Sequence, residues 1–145
     1  MPLSKLQLLK TAQSDPGYTI RESGLWVPKG WGGEHWIVND KANNYCAKRL
    51  FVAAGKQFSY HYHKIKVETF YVMSGSALLL FAMPGDQENM RADTAHARIR
   101  DLNEGEIIHV TPGMVHRIFA RRDTWIYEAS TYHMDEDSIR VEKGD

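Results

Sequence analysis

Nine short stretches of the chain have the composition of β-strands, with turn residues between them at close intervals. They run His35 to Asn39, Tyr45 to Ala53, Gln57 to His63, Glu68 to Met73, Ala77 to Met83, Ala95 to Asp101, Glu106 to Val110, Val115 to Ala120 and Thr124 to Thr131. Each favours aromatic, β-branched or alternating apolar residues. No helical pattern of about ten residues separates consecutive runs, so the strands have to bury their apolar faces on one another. A sandwich or barrel follows from this spacing alone.

Only the start of the chain reads as helix. Over Leu3 to Gln13, Ser4 and Gln7 form a capping box, Leu3 can staple against Leu8, and Ser14-Asp15-Pro16-Gly17 stops the pattern. From Tyr18 to Gly33 the text is irregular, with Trp26, Pro28 and Trp31 as turn markers and apolar anchors. Residues 84–93 read as an exposed polar loop, and the segment after His133 as an acidic, polar tail. The expected organisation is an N-terminal helix and linker over 1–17, a β-domain over 18–133 and a C-terminal tail over 134–145.

A chain of 145 residues with 43% hydrophobic content has the size of one domain with one sizeable core. Eighteen Lys and Arg balance eighteen Asp and Glu, so no long-range field draws it to nucleic acid or to an anionic membrane. Arg117, Arg121 and Arg122 form the nearest basic group, read as a solvated turn or a small anionic-ligand contact. A single cysteine, Cys46, makes no intramolecular disulfide, and no export or membrane-spanning signal is visible. The expected location is cytoplasmic, without a nucleic-acid or membrane partner.

The chemistry is concentrated between Gly55 and Gly75. His61 and His63 lie one residue apart on an extended run, so both side chains point to one face. Glu68 opens the next run and returns beside them if the two runs lie antiparallel. His116 follows the Thr111-Pro112-Gly113 turn as a fourth member. Imidazole nitrogens with a carboxylate oxygen suit a divalent ion such as Mn, Zn, Fe, Ni or Co.

Two neighbours bear on what such an ion would do. Lys66 shares a face with Glu68 if the bend after His63 is extended, and there it would stabilise an oxyanion or move a proton, the more so if burial lowers its pKa. The plain alternative makes Lys64 and Lys66 solvated loop residues. Glu128 shares a face with Ile126 and Ser130, so it points inward only if Trp125 and Tyr127 pack outside. Inside an apolar barrel its pKa would rise and it would serve as a base. His133 is a further residue for the edge of the site. A metal beside a carbonyl, with a carboxylate and a lysine ready to move protons, is equipment for aldose–ketose isomerisation through an enediol.

The stretch with Gly55, His61, His63, Glu68 and Gly75 resembles the first cupin motif, G-x5-H-x-H-x4-E-x6-G, at every fixed position. Gly105, Gly113 and His116 are similar to part of the second, G-x5-P-x-G-x2-H-x3-N, although Thr111 holds the proline position, Pro112 comes one residue late and Ala120 replaces the asparagine. The resemblance implies a single-domain jelly-roll barrel, the cupin double-stranded β-helix, with a metal held by His61, His63, Glu68 and His116. Further strings, Trp31 to Asn39, Tyr45 to Lys48, His61 to Val72 and Glu128 to Arg140, are similar to sugar-handling cupins of the D-lyxose isomerase and mannose-6-phosphate isomerase-like kind. That likeness implies a metal-dependent sugar isomerase with Lys66 as an active-site lysine and a carbohydrate as the small-molecule substrate. An iron dioxygenase and a non-catalytic sugar-binding module stay open beside it. A homodimer is expected, because an open jelly roll leaves strand edges that need cover.

Overall fold

Alternation of side chains sets the strands and decides what each one buries. Strand β10, Thr124–Ser130, buries Thr124, Ile126 and Glu128 and leaves Trp125 and Tyr127 half-buried on its other side. Strand β5, Glu68–Ser74, buries Glu68, Phe70 and Val72 while Tyr71 and Met73 are exposed. This period of two is that of a sheet with one face on a core.

The computed structural model describes residues 24–86 and 97–145. The helix expected over Leu3–Gln13 and most of the loop expected over 84–93 lie outside the described residues. Besides β5 and β10, the strands are β1 Leu25–Lys29, β2 Gly32–Asp40, β3 Tyr45–Val52, β4 Tyr60–His63, β6 Ser76–Ala82, β7 Arg98–Asn103, β8 Ile107–Val110, β9 Val115–Ala120 and β11 Ser138–Glu142. A short 3-10 turn, Asp135–Asp137, leads into β11. Among the described residues no helix is long and apolar enough to cross a membrane.

The strands form two antiparallel sheets, one of six in the order β1-β2-β3-β10-β5-β8 and one of five in the order β11-β4-β9-β6-β7. Both feed one apolar core. Leu50, Val52, Phe70, Val72 and Ile126 come from the larger sheet, and Ala77, Leu79, Ile118 and Ala120 from the smaller. Gly75 makes the turn from β5 to β6 at φ +103°, and a Cβ there would lie 2.5 Å from the Asp123 carbonyl oxygen, so only glycine fits.

Four expectations need correction. The sheets do not close into a barrel; each ends in edge strands. Those edges are blunted by Pro28 in β1, which has no N–H to offer, and by exposed charges in β7. Leu25–Lys29 lies in the stretch read as irregular, yet it pairs with β2 along its whole length. The segment read as a polar tail contains β11, which pairs with β4 and buries Ile139 and Val141 only in part. Finally, Arg117 does not join Arg121 and Arg122 in a solvated patch. It is buried, donating from Nε to the Phe58 carbonyl at 2.9 Å and from Nη2 to that of Lys143 at 2.6 Å, while Arg121 pairs with Asp101.

Candidate metal centre

Four side chains converge where the two sheets meet at one end. His61 and His63 come from β4, and the register pair that joins β4 to β9 is His61 opposite His116. Glu68 opens β5 on the other sheet. The turn before His116 is held to β4 by the Gly113 N–H, which donates to the His63 carbonyl at 2.7 Å, with Gly113 at φ +84°. The departures of Thr111 and Pro112 from the motif therefore leave His116 in place.

The bend between His63 and Glu68 is fixed from outside it. The buried Asp137 carboxylate accepts the N–H groups of Lys64 at 2.9 Å, Ile65 at 3.1 Å and Lys66 at 2.9 Å. The same residue's carbonyl meets His63 Nδ1 at 3.1 Å. One aspartate thus sets both a ring and the bend after it.

One potential ligand atom from each of His61, His63, Glu68 and His116 lies within 4.8 Å of the others. The protonation pattern can be worked out from the outer ring atoms. Nδ1 of His61 faces the Ser59 carbonyl at 2.8 Å, and Nδ1 of His116 faces the Met114 carbonyl at 3.1 Å. A carbonyl only accepts, so in all three rings the proton belongs on Nδ1 and a lone pair is left on Nε2. His63 Nε2 and His116 Nε2 then lie 3.1 and 3.0 Å from Glu68 Oε1, lone pair against carboxylate. Glu68 Oε1 and His116 Nε2 are buried and have no hydrogen-bond partner among the described residues. Acceptors crowded in a dry site repel one another unless a cation lies among them. These residues fit a divalent ion.

The charges agree with that role. Burial and the neighbouring His116 and His63 hold His61 well below the ordinary histidine range, so it is neutral as a ligand must be. Burial would raise the Glu68 carboxyl, and the charge of Lys66 acts against it and favours the carboxylate.

Of the two lysines in the bend, Lys64 is exposed and Lys66 is buried. Lys66 Nζ lies 2.9 Å from Glu68 Oε2, 2.5 Å from Glu128 Oε1 and 3.3 Å from His133 Nδ1. The expected fall in its pKa is not found. Burial pulls it down, but Glu128 and Glu68 push it above the ordinary lysine value, so Lys66 is a fixed ammonium ion. Glu128 does point inward, because Trp125 packs outside against Phe51, centroids 5.0 Å apart. It sits against Lys66 and the Ser130 hydroxyl, at 2.9 Å, rather than in apolar surroundings. His133 completes this edge, and burial with the charges of Lys48 and Lys66 lowers its pKa.

His61, His63, Lys66, Glu68, Glu128 and His133 border a cavity of about 890 Å³ that also reaches Glu34 and Trp36 on β2. Sequence reasoning assigned no role to Asp137, Glu34, Trp36 or Lys48. The signal for Lys48 was legible: it occupies an inward position of β3 between the buried Cys46 and Leu50, where an unpaired charge is costly. Asp137 was hidden in an acidic run that reads as solvated surface.

Residues 41–139 match the cupin family. The chain belongs to that family. Solved structures agree on the fold. The capsular polysaccharide assembling protein CapF from Staphylococcus aureus is 18% identical with a TM-score of 0.66, over 81% of this chain and 34% of that one. A tryptophan-to-tyrosine variant of the oxalate decarboxylase from Bacillus subtilis is 17% identical with a TM-score of 0.66, over 81% and 30%. KdgF from Halomonas sp. is 13% identical with a TM-score of 0.60, over 77% and 91%. The cupin thus spans about a third of the first two proteins and nearly all of the third. No curated protein matches it by sequence.

Proposed function

We propose that this cupin is a metal-dependent aldose–ketose isomerase acting on a sugar or sugar phosphate, with His61, His63, Glu68 and His116 as metal ligands. The observation that carries the reaction class is Lys66, an ammonium held between a ligand carboxylate, Glu68, and a second carboxylate, Glu128, on the wall of the same cavity. When bound, the divalent ion supplies a Lewis acid beside the substrate carbonyl. Manganese is the first ion to test, because the Bacillus subtilis oxalate decarboxylase of the same fold is described with Mn(II) centres.

In this reading Glu128 is the base. It takes the proton from the carbon next to the aldehyde, the C–H electron pair becomes the C=C bond of an enediol, and the carbonyl oxygen takes the negative charge. Lys66 donates a hydrogen bond to that oxygen, already charged and already oriented, so little reorganisation is needed. A proton passes from the neighbouring hydroxyl to this oxygen, and Glu128 returns its proton to the former carbonyl carbon, which leaves a ketose. Atoms and electrons balance without an oxidant.

The test is an anaerobic assay of the manganese-loaded protein on pentoses and hexoses, free and phosphorylated, in deuterium oxide. Interconversion with deuterium incorporated at carbon is the expected result, reduced about a hundredfold or more in Glu128→Gln. Silence across the panel, or oxygen uptake with a substrate in an iron-loaded sample, would reject the isomerase in favour of binding or dioxygenase chemistry. A homodimer is part of the proposal, and sedimentation as a monomer at micromolar concentration would remove it.

A further inference from the structure

The cavity wall contributed by β2 and β3 is built with the same care as the metal cluster, and the reaction above makes no use of it. Glu34 and Trp36 lie two residues apart on β2 and both border the cavity. The Trp36 indole donates from Nε1 to Glu34 Oε2 at 2.8 Å. Lys48 lies opposite both Trp36 and Glu128 in the sheet register; it is 2% exposed, with its Nζ 3.8 Å from the Trp36 ring centroid and 3.7 Å from Glu34 Oε2. The other edge of the indole meets His133, with ring centroids 5.2 Å apart. Trp36 is therefore clamped, and one carboxylate oxygen of Glu34 is committed to it.

Among the described residues the second oxygen, Oε1, meets only the Lys29 ammonium, at 3.9 Å, which is beyond hydrogen-bond distance. Glu34 thus presents a rigid acceptor to the cavity. Its strand lies three places from β5 in the sheet, about 14 Å at ordinary strand spacing, so a group bound there is several carbon atoms from one held at the cluster.

The cavity carries charges of both signs: Glu34, Glu128 and Asp135 border it together with Lys29, Arg140 and Lys143, and the buried ammonium nearest the cluster, Lys66, already serves two carboxylates. At Glu34 Oε1 itself a ligand carboxylate would set acceptor against acceptor, whereas a hydroxyl supplies the proton that this oxygen lacks.

We propose that Glu34, oriented by Trp36 and Lys48, is a specificity-determining residue that accepts a hydrogen bond from a hydroxyl remote from the reacting carbons, so that the cavity takes a neutral polyhydroxylated carbon chain. This rests on the cavity being the substrate site but not on the isomerisation step. The two are separable, because alditols carry the hydroxyls and lack the carbonyl.

Calorimetric titration of the manganese-loaded protein with four- to six-carbon alditols, glycerol and oxalate tests it. An alditol is expected to bind more tightly than glycerol or oxalate. Glu34→Gln should weaken alditol binding about ten- to a hundredfold and erase the preference over glycerol, with metal content unchanged. Should Glu34→Gln fail to fold, Glu34→Asp keeps the charge and withdraws it by one methylene, and a shift of preference toward a longer alditol is expected. Wild-type alditol affinity in Glu34→Gln, no alditol binding by the wild type, tighter binding of oxalate, or an unchanged ranking in Glu34→Asp would each overturn the assignment. Alditol binding that depends on Glu34 without turnover of any aldose would leave it standing and remove the isomerase instead.

Discussion

Strands β5 and β10 each run through two different environments within a few residues. At one end Phe70, Val72 and Ile126 lie in the apolar core; at the other Glu68 and Glu128 face Lys66 and the imidazoles. The alternation that turns these side chains inward is the same along the whole strand. What changes is that the apolar end is satisfied by packing alone, whereas the polar end leaves buried acceptors for which the described residues supply no partner. The core holds the fold, and the site draws on that stability.

Substitutions at the two ends should separate stability from metal binding. Ile126, fully buried, should cost about 2–5 kcal/mol as Ile126→Ala in urea unfolding of the metal-free protein, with one metal still bound per folded chain. Removing the metal comes next: at an ion concentration a hundred times its Kd, binding adds about 2.7 kcal/mol, which a chelator abolishes in the wild type and which is absent from the start in His116→Ala. Asp137→Ala should cost roughly 1–3 kcal/mol, because the N–H groups of the bend lose their acceptor, and should weaken the metal about ten- to a hundredfold by freeing the His63 ring. The smallest effect belongs to Arg100→Ala. Its pair with Glu106, at 3.4 Å on the surface, is worth about 0.5 kcal/mol or less and should not touch metal content.

Much of this organisation was legible in the residues themselves. The runs at Tyr45, Glu68, Ala77, Val115 and Thr124 became strands with nearly the expected limits, and the spacing of His61, His63, Glu68 and His116 described a cluster that the structure brings together. The misses have physical causes. The alternation Ile139-Arg140-Val141-Glu142 is a strand signal, but the acidic run before it reads as surface, and Pro28 argues against a strand unless that strand is an edge. The pairing of Lys66 with Glu128, which keeps the lysine charged, was not legible, because contact between two buried groups from different strands is a property of the fold and not of either position. Asp137 acts through contacts made far along the chain, which no local pattern encodes.

Three imidazole lone pairs and one carboxylate are arranged to share a cation. Elemental analysis of the purified protein after dialysis against micromolar manganese, beside His61→Ala and Glu68→Gln confirmed as folded by circular dichroism, tests it most directly. One equivalent of a divalent ion per chain, lost in both variants, is expected. A well-folded wild type with no bound ion, or variants that keep a full equivalent, would contradict it.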